Sequence, residues 1–144
     1  MASRFQIING NSIYFVIGWI QFFIFLCVIT FLSLTPNPGS AFEYTSDKVL
    51  HVLGWLCMTI SLGLPWLLSI LLRRAYSSHH LKTFFIAAVC LFIYSVGIEI
   101  IQQFTGRQLS GLDMMANAVG VIIGSVTIRL CVIIYRWNTE KSRC

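Results

Sequence analysis

The sequence predicts an all-α membrane protein, a bundle of four transmembrane helices, and three observations carry that expectation. Hydrophobic residues make up 57% of the 144 positions and charged residues only 10%, against roughly 25% charged in a soluble domain. So little polar surface cannot cover a water-facing globule. Four long apolar runs divide the chain, each near the ~20 residues that span a bilayer core. Most charged residues gather at the ends of those runs. A single domain over 1–144 is expected at this length.

The first run covers about 13–34, from Ile13 to Leu34. It is longer than the roughly 7–15 apolar residues of a signal-peptide core, which makes it a membrane anchor. The second covers about 49–72, Val49 to Leu72; interior glycines and Pro65 are tolerated there because neighbouring helices re-satisfy the freed backbone groups. The third covers about 83–104, Thr83 to Phe104, and the fourth about 112–137, Leu112 to Trp137.

Charge counting orients the bundle. Arg4 precedes the first helix, Arg73, Arg74 and Lys82 lie between the second and third, and Arg136, Lys141 and Arg143 follow or close the fourth. The other two loops hold Glu43, Asp47 and Lys48, then Arg107 and Asp113. The positive-inside bias therefore places both termini in the cytoplasm and the first and third loops outside. Arg129 sits inside the fourth run near its cytoplasmic end, where its long stem lets it snorkel to the headgroups. His79-His80 reads as a solvated feature of the cytoplasmic loop. The net charge of +5 resides at helix ends rather than in a basic patch with exposed aromatics, so no nucleic-acid partner is expected. Cys27, Cys57, Cys90 and Cys131 fall within apolar runs and Cys144 at the end of the chain, without CxxC spacing, so neither a disulfide framework nor a zinc site is read from them.

On that topology the unusual residues converge at the outer face. Asp47, Lys48 and His51 open the second helix, Glu99, Gln102 and Gln103 close the third before Arg107, and Asp113 and Asn117 open the fourth. Helical spacing gives each helix one polar-to-small stripe: Asp47, His51, Gly54, Met58 and Ser61; Asp113, Asn117, Gly120 and Gly124; Ser95, Glu99 and Gln103, joined by Arg107 if the helix continues. Gly120 and Gly124 form a GxxxG pattern that lets helices approach closely. The polar ends should meet at the top of a tightly packed three-helix seam. Glu99 is the most informative residue: an ionised carboxylate more than a turn inside an apolar run costs several kcal/mol unless paired, hydrated or neutralised. His51 and Arg107 are its expected partners. Plainer roles stand beside these. Ser110-Gly-Leu-Asp113 fits a capping box, Asp47 suits a helix N-terminus, Lys48 and Arg107 suit interfacial anchors, and Asn117, Gln102 and Gln103 suit interhelical hydrogen bonding.

The combination Asp47-Lys48-Val-Leu-His51, Gly97-Ile-Glu99-Ile-Ile-Gln102-Gln103, Arg107, Asp113, Asn117 and Gly120, with Thr35-Pro36 after the first helix, resembles the VanZ-like family of small multi-helix bacterial membrane proteins. The resemblance spans about Leu34 to Gly124 in the expected order. It implies a multi-pass protein of the bacterial cytoplasmic (inner) membrane, and a functional cluster of Asp47, Lys48, His51, Glu99, Gln103, Arg107, Asp113 and Asn117. The family's namesake is linked to resistance to the glycopeptide teicoplanin, so the resemblance also raises a relation to glycopeptide resistance.

The function expected is binding of a membrane lipid or a lipid-linked cell-wall intermediate by its headgroup, with cationic Lys48, Arg107 and His51 beneath Phe42, Tyr44 and Phe104. No cofactor or metal is expected; Asp47, His51, Glu99 and Asp113 have the right ligand types, but sequence does not establish their proximity. Homo-oligomerisation is left open. One alternative is a membrane enzyme on a lipid-linked substrate, with His51 and Glu99 as base and acid; the serine, paired-aspartate and lipid-phosphatase signatures of membrane enzymes are missing. The other is a small proton-coupled transporter, which needs a polar path through the cytoplasmic half that the sequence hardly provides.

Overall fold

The computed structural model describes residues 2–35, 46–73, 78–105 and 109–142. Among the described residues there are four α-helices: α1 (Ala2–Leu34), α2 (Asp47–Arg73), α3 (Ser78–Gln102), which tightens into one 3₁₀ turn at Gln103–Thr105, and α4 (Gly111–Lys141). All four are long and apolar enough to cross a membrane, over Ile13–Leu34, Asp47–Leu71, His79–Thr105 and Gly111–Lys141. The helices outrun the apolar stretches read from sequence. α1 starts at Ala2, and α3 starts at Ser78, which puts His79 and His80 in its first turn rather than in a loop. Hydropathy marks the part of a helix that suits lipid, whereas the helix itself runs on until a breaker or cap stops it.

Successive helices alternate in direction. Gly18 of α1 lies against Pro65 of α2, Thr30 Oγ1 is 2.8 Å from the Tyr94 hydroxyl of α3, and the Tyr135 hydroxyl of α4 donates to the Leu71 carbonyl at 3.3 Å. α2 and α4 therefore run parallel, as do α1 and α3. α2 is the central element, packed on all three others.

The interior is filled by Phe22, Trp55, Met58, Leu62, Phe84 and Leu91, with Val121 and Ile128 from α4. The outward faces are as apolar as the interior: Ile24, Phe31, Ile86, Ile93, Ile122 and Ile134 are all exposed. A belt of that extent is unfavourable in water and matches lipid tails.

Along the α2–α4 seam small residues let the backbones meet. A Cβ added at Gly120 would lie 2.5 Å from the Val52 carbonyl oxygen and 2.9 Å from the Leu56 nitrogen; one at Gly124 would lie 2.7 Å from Thr59 Cβ. Lower down the roles reverse, and Gly63 of α2 accommodates the Ile128 side chain of α4. Such contacts replace the hydrophobic drive that lipid does not supply.

Candidate functional site

The seam sets the depth at which polar groups meet. Just above Gly120, α2 brings Asp47 and His51, α4 brings Asp113 and Asn117, and the last turn of α3 brings Glu99. Glu99 and Asn117 are 1% and 0% exposed, so both polar side chains depend on protein partners. His51 Nδ1 lies 2.9 Å from Asn117 Oδ1 and 3.3 Å from Glu99 Oε1. Asn117 Nδ2 donates to that same Oε1 at 3.3 Å, which closes a triangle.

The triangle determines where one hydrogen sits. Because the Asn117 amide nitrogen faces Glu99, its oxygen faces His51, and a carboxylate oxygen faces the same ring nitrogen. Both are acceptors, so Nδ1 carries the hydrogen. The second ring nitrogen, Nε2, is directed to the mouth of the site, 3.8 Å from Asp47 Oδ1. Asp47, His51 and Asp113 each place one donor atom so that all three lie within 4.8 Å of one another.

Asp113 reaches this position because it is not needed as a cap. Ser110 is the N-cap of α4, its hydroxyl accepting from the Asp113 backbone nitrogen, and the Asp113 side chain is buried. Asp47 occupies the first turn of α2, where the helix dipole favours a carboxylate, and stays half exposed at the mouth.

Not every residue singled out by spacing joins the cluster. Lys48 is exposed on the first turn of α2, and Gln103 is exposed on the 3₁₀ turn. Arg107, Pro36, Phe42, Tyr44 and Cys144 lie outside the described residues. Gln102 is buried instead and donates to the Ser33 carbonyl of α1 at 2.7 Å. At about 100° per residue, Gln102 and Gln103 flank the Glu99 direction by about 60° and 40° on opposite sides; α1 covers the Gln102 flank. Spacing alone does not say which flank a neighbouring helix covers. Below the cluster, Thr59, Ser61 and Ser125 are buried, and the Thr59 hydroxyl is used on the Trp55 carbonyl.

No family model matches this chain, and no curated protein or solved structure matches it with significance. The site therefore rests on its own geometry.

Spacing also does not reveal the groove beside the cluster. Between α1 and α2 lies a cavity of about 290 Å³, walled by Phe25, Ile29, Leu32, Leu50, Leu53 and Gly54, with Ser33, Asp47 and His51 also in its lining. A polar cluster and an apolar groove are thus continuous through His51.

Proposed function

We propose that the chain binds an amphiphile, a membrane lipid or a lipid-linked cell-envelope precursor, with its headgroup at the Asp47–His51–Glu99–Asp113–Asn117 cluster and its tail in the α1–α2 groove. The observation that carries this reading is the continuity of the two. The groove wall is apolar apart from the Ser33, Asp47 and His51 contribution, which suits a hydrocarbon chain joined to a hydrogen-bonding head. Lys48 and Arg107 would add cationic contacts to phosphate from the rim. In this reading the protein is a member of the VanZ-like family in the bacterial inner membrane. The charge bias of its loops supports a site on the extracytoplasmic side, where cell-wall intermediates and glycopeptides meet.

Catalysis and transport are supported less. The serine, paired-aspartate and lipid-phosphatase signatures of membrane enzymes are missing from the sequence, and the buried hydroxyls of Thr59, Ser61 and Ser125 do not amount to a charged relay.

The test compares lipids that co-purify with wild type, Glu99→Gln and Gly54→Leu in mild detergent, identified by mass spectrometry. A Cβ added at Gly54 meets only Ile29 Cδ1, at 3.8 Å, among the described residues, so a leucine there extends into the groove that Gly54 lines. The expected result is one enriched lipid class with wild type, lost in both variants. Identical lipid profiles for all three proteins would refute the reading.

A further inference from the structure

We propose that Asp47, His51 and Asp113 form the ligand set of a divalent transition-metal site. Three observations, each on a different residue, lead there. First, one donor atom from each of the three falls within 4.8 Å of the others, from two helices held together by the Gly120 contact. Donors about 2.1 Å from a common tetrahedral ion are about 3.4 Å apart, so closing the site needs a shift of about an ångström in the donor atoms.

Second, His51 is held as metal-bound histidines are held. Its Nδ1 hydrogen is committed to Asn117 Oδ1 and Glu99 Oε1. In the neutral ring this leaves the Nε2 lone pair directed toward Asp47. An outer carboxylate or carbonyl oxygen on the far nitrogen is the usual arrangement that fixes the tautomer of a liganding imidazole and raises its basicity. Third, Asp113 is buried although Ser110 already caps α4. A buried carboxylate within 4.8 Å of a histidine nitrogen is an anion whose desolvation a cation held between the three donors would offset.

One imidazole and two carboxylates suit zinc, manganese or ferrous iron rather than a soft thiolate-seeking metal. Three protein donors leave at least one position open for water or for an oxygen of an incoming ligand. The site does not rest on the headgroup reading, and metal binding by the lipid-free protein is measured separately from lipid retention. If both hold, the open position is where a phosphate or sugar oxygen would enter.

The experiment uses the full chain purified without a polyhistidine tag, stripped with chelator and titrated with Zn²⁺ by calorimetry. Co²⁺ absorption serves as an independent report of the ligand field. Wild type should take up one Zn²⁺ per chain. Asp47→Asn, which changes an exposed side chain and leaves the packing intact, should weaken binding at least tenfold and alter the Co²⁺ spectrum; Asp113→Asn should do the same. Asn117→Leu, which removes the hold on Nδ1, should weaken it by about 10–100-fold. A double His79→Ala/His80→Ala variant at the opposite membrane face should bind as wild type does. Absence of stoichiometric Zn²⁺ uptake by wild type would overturn the proposal. So would uptake that survives Asp47→Asn and Asp113→Asn unchanged, or uptake that disappears with His79 and His80.

Discussion

Gly120→Ala is the sharpest probe of how the site is held together. The added methyl would sit 2.5 Å from the Val52 carbonyl oxygen, where ordinary contact begins at 3.4 Å, and the obstacle is backbone rather than a flexible side chain. α2 and α4 must therefore move apart by about 1 Å at this level. His51 and Asn117, now 2.9 Å apart, lie just above and would open to nearly 4 Å, beyond hydrogen-bond range. Overpacking costs about 1–3 kcal/mol and a lost interhelical hydrogen bond about 0.6–1.7 kcal/mol. Removing a helical glycine returns about 1 kcal/mol, so the net expectation is about 1–3 kcal/mol of destabilisation. Gly97→Ala is the matched control, because a methyl there meets nothing within 4 Å and should be neutral or stabilising. Thermal unfolding in detergent, followed by tryptophan fluorescence, reports the difference directly, since Trp55 packs beside Gly120. Equal unfolding temperatures for the two alanine variants would refute the close seam and, with it, the account of how His51 meets Asn117.

Three further outcomes are expected. Glu99→Gln keeps an oxygen for the Asn117 amide and removes a buried charge, so its unfolding temperature should equal or exceed that of wild type; a large drop would identify the carboxylate as an essential half of an ion pair with His51. Gln102→Ala should cost about 0.6–1 kcal/mol through the lost bond to Ser33, while Gln103→Ala, at an exposed position, should be silent in the same unfolding assay. In a cysteine-free background, Lys48→Cys should react with a membrane-impermeant maleimide on intact cells and Glu140→Cys only after permeabilisation; the reverse pattern would turn the site to the cytoplasm.

Much of this architecture was legible because lipid imposes simple rules on sequence. Four apolar runs became four helices, and the stripe Asp113, Asn117, Gly120 and Gly124 is buried throughout, because small and polar residues in a lipid-facing position would serve no packing purpose. Glu99 stood out for the same reason: a carboxylate within a run such as Ile98 to Ile101 has to be met by another helix. What spacing could not supply was the azimuth of each neighbour. It did not show that α1 would cover Gln102 rather than Gln103. Nor did it show that the partner of Glu99 within the triangle, besides His51, would be the Asn117 amide, because these depend on packing between segments 18 to 69 residues apart. Polar residues continue α3 past its apolar stretch at Ser78, which hydropathy does not register.

The groove between α1 and α2 has walls that are themselves helices long and apolar enough to span a membrane, so in a bilayer its long side would open to hydrocarbon. On the proposed reading, its lipid would arrive by lateral diffusion, and occupancy would follow the lipid's mole fraction in the leaflet, not its concentration in the bulk medium. A scarce lipid could fill the groove if the leaflet were thin in competitors, and dilution with detergent would empty it without any change in intrinsic affinity. If the proposed lipid binding holds, its dissociation constant would have its natural units in two dimensions.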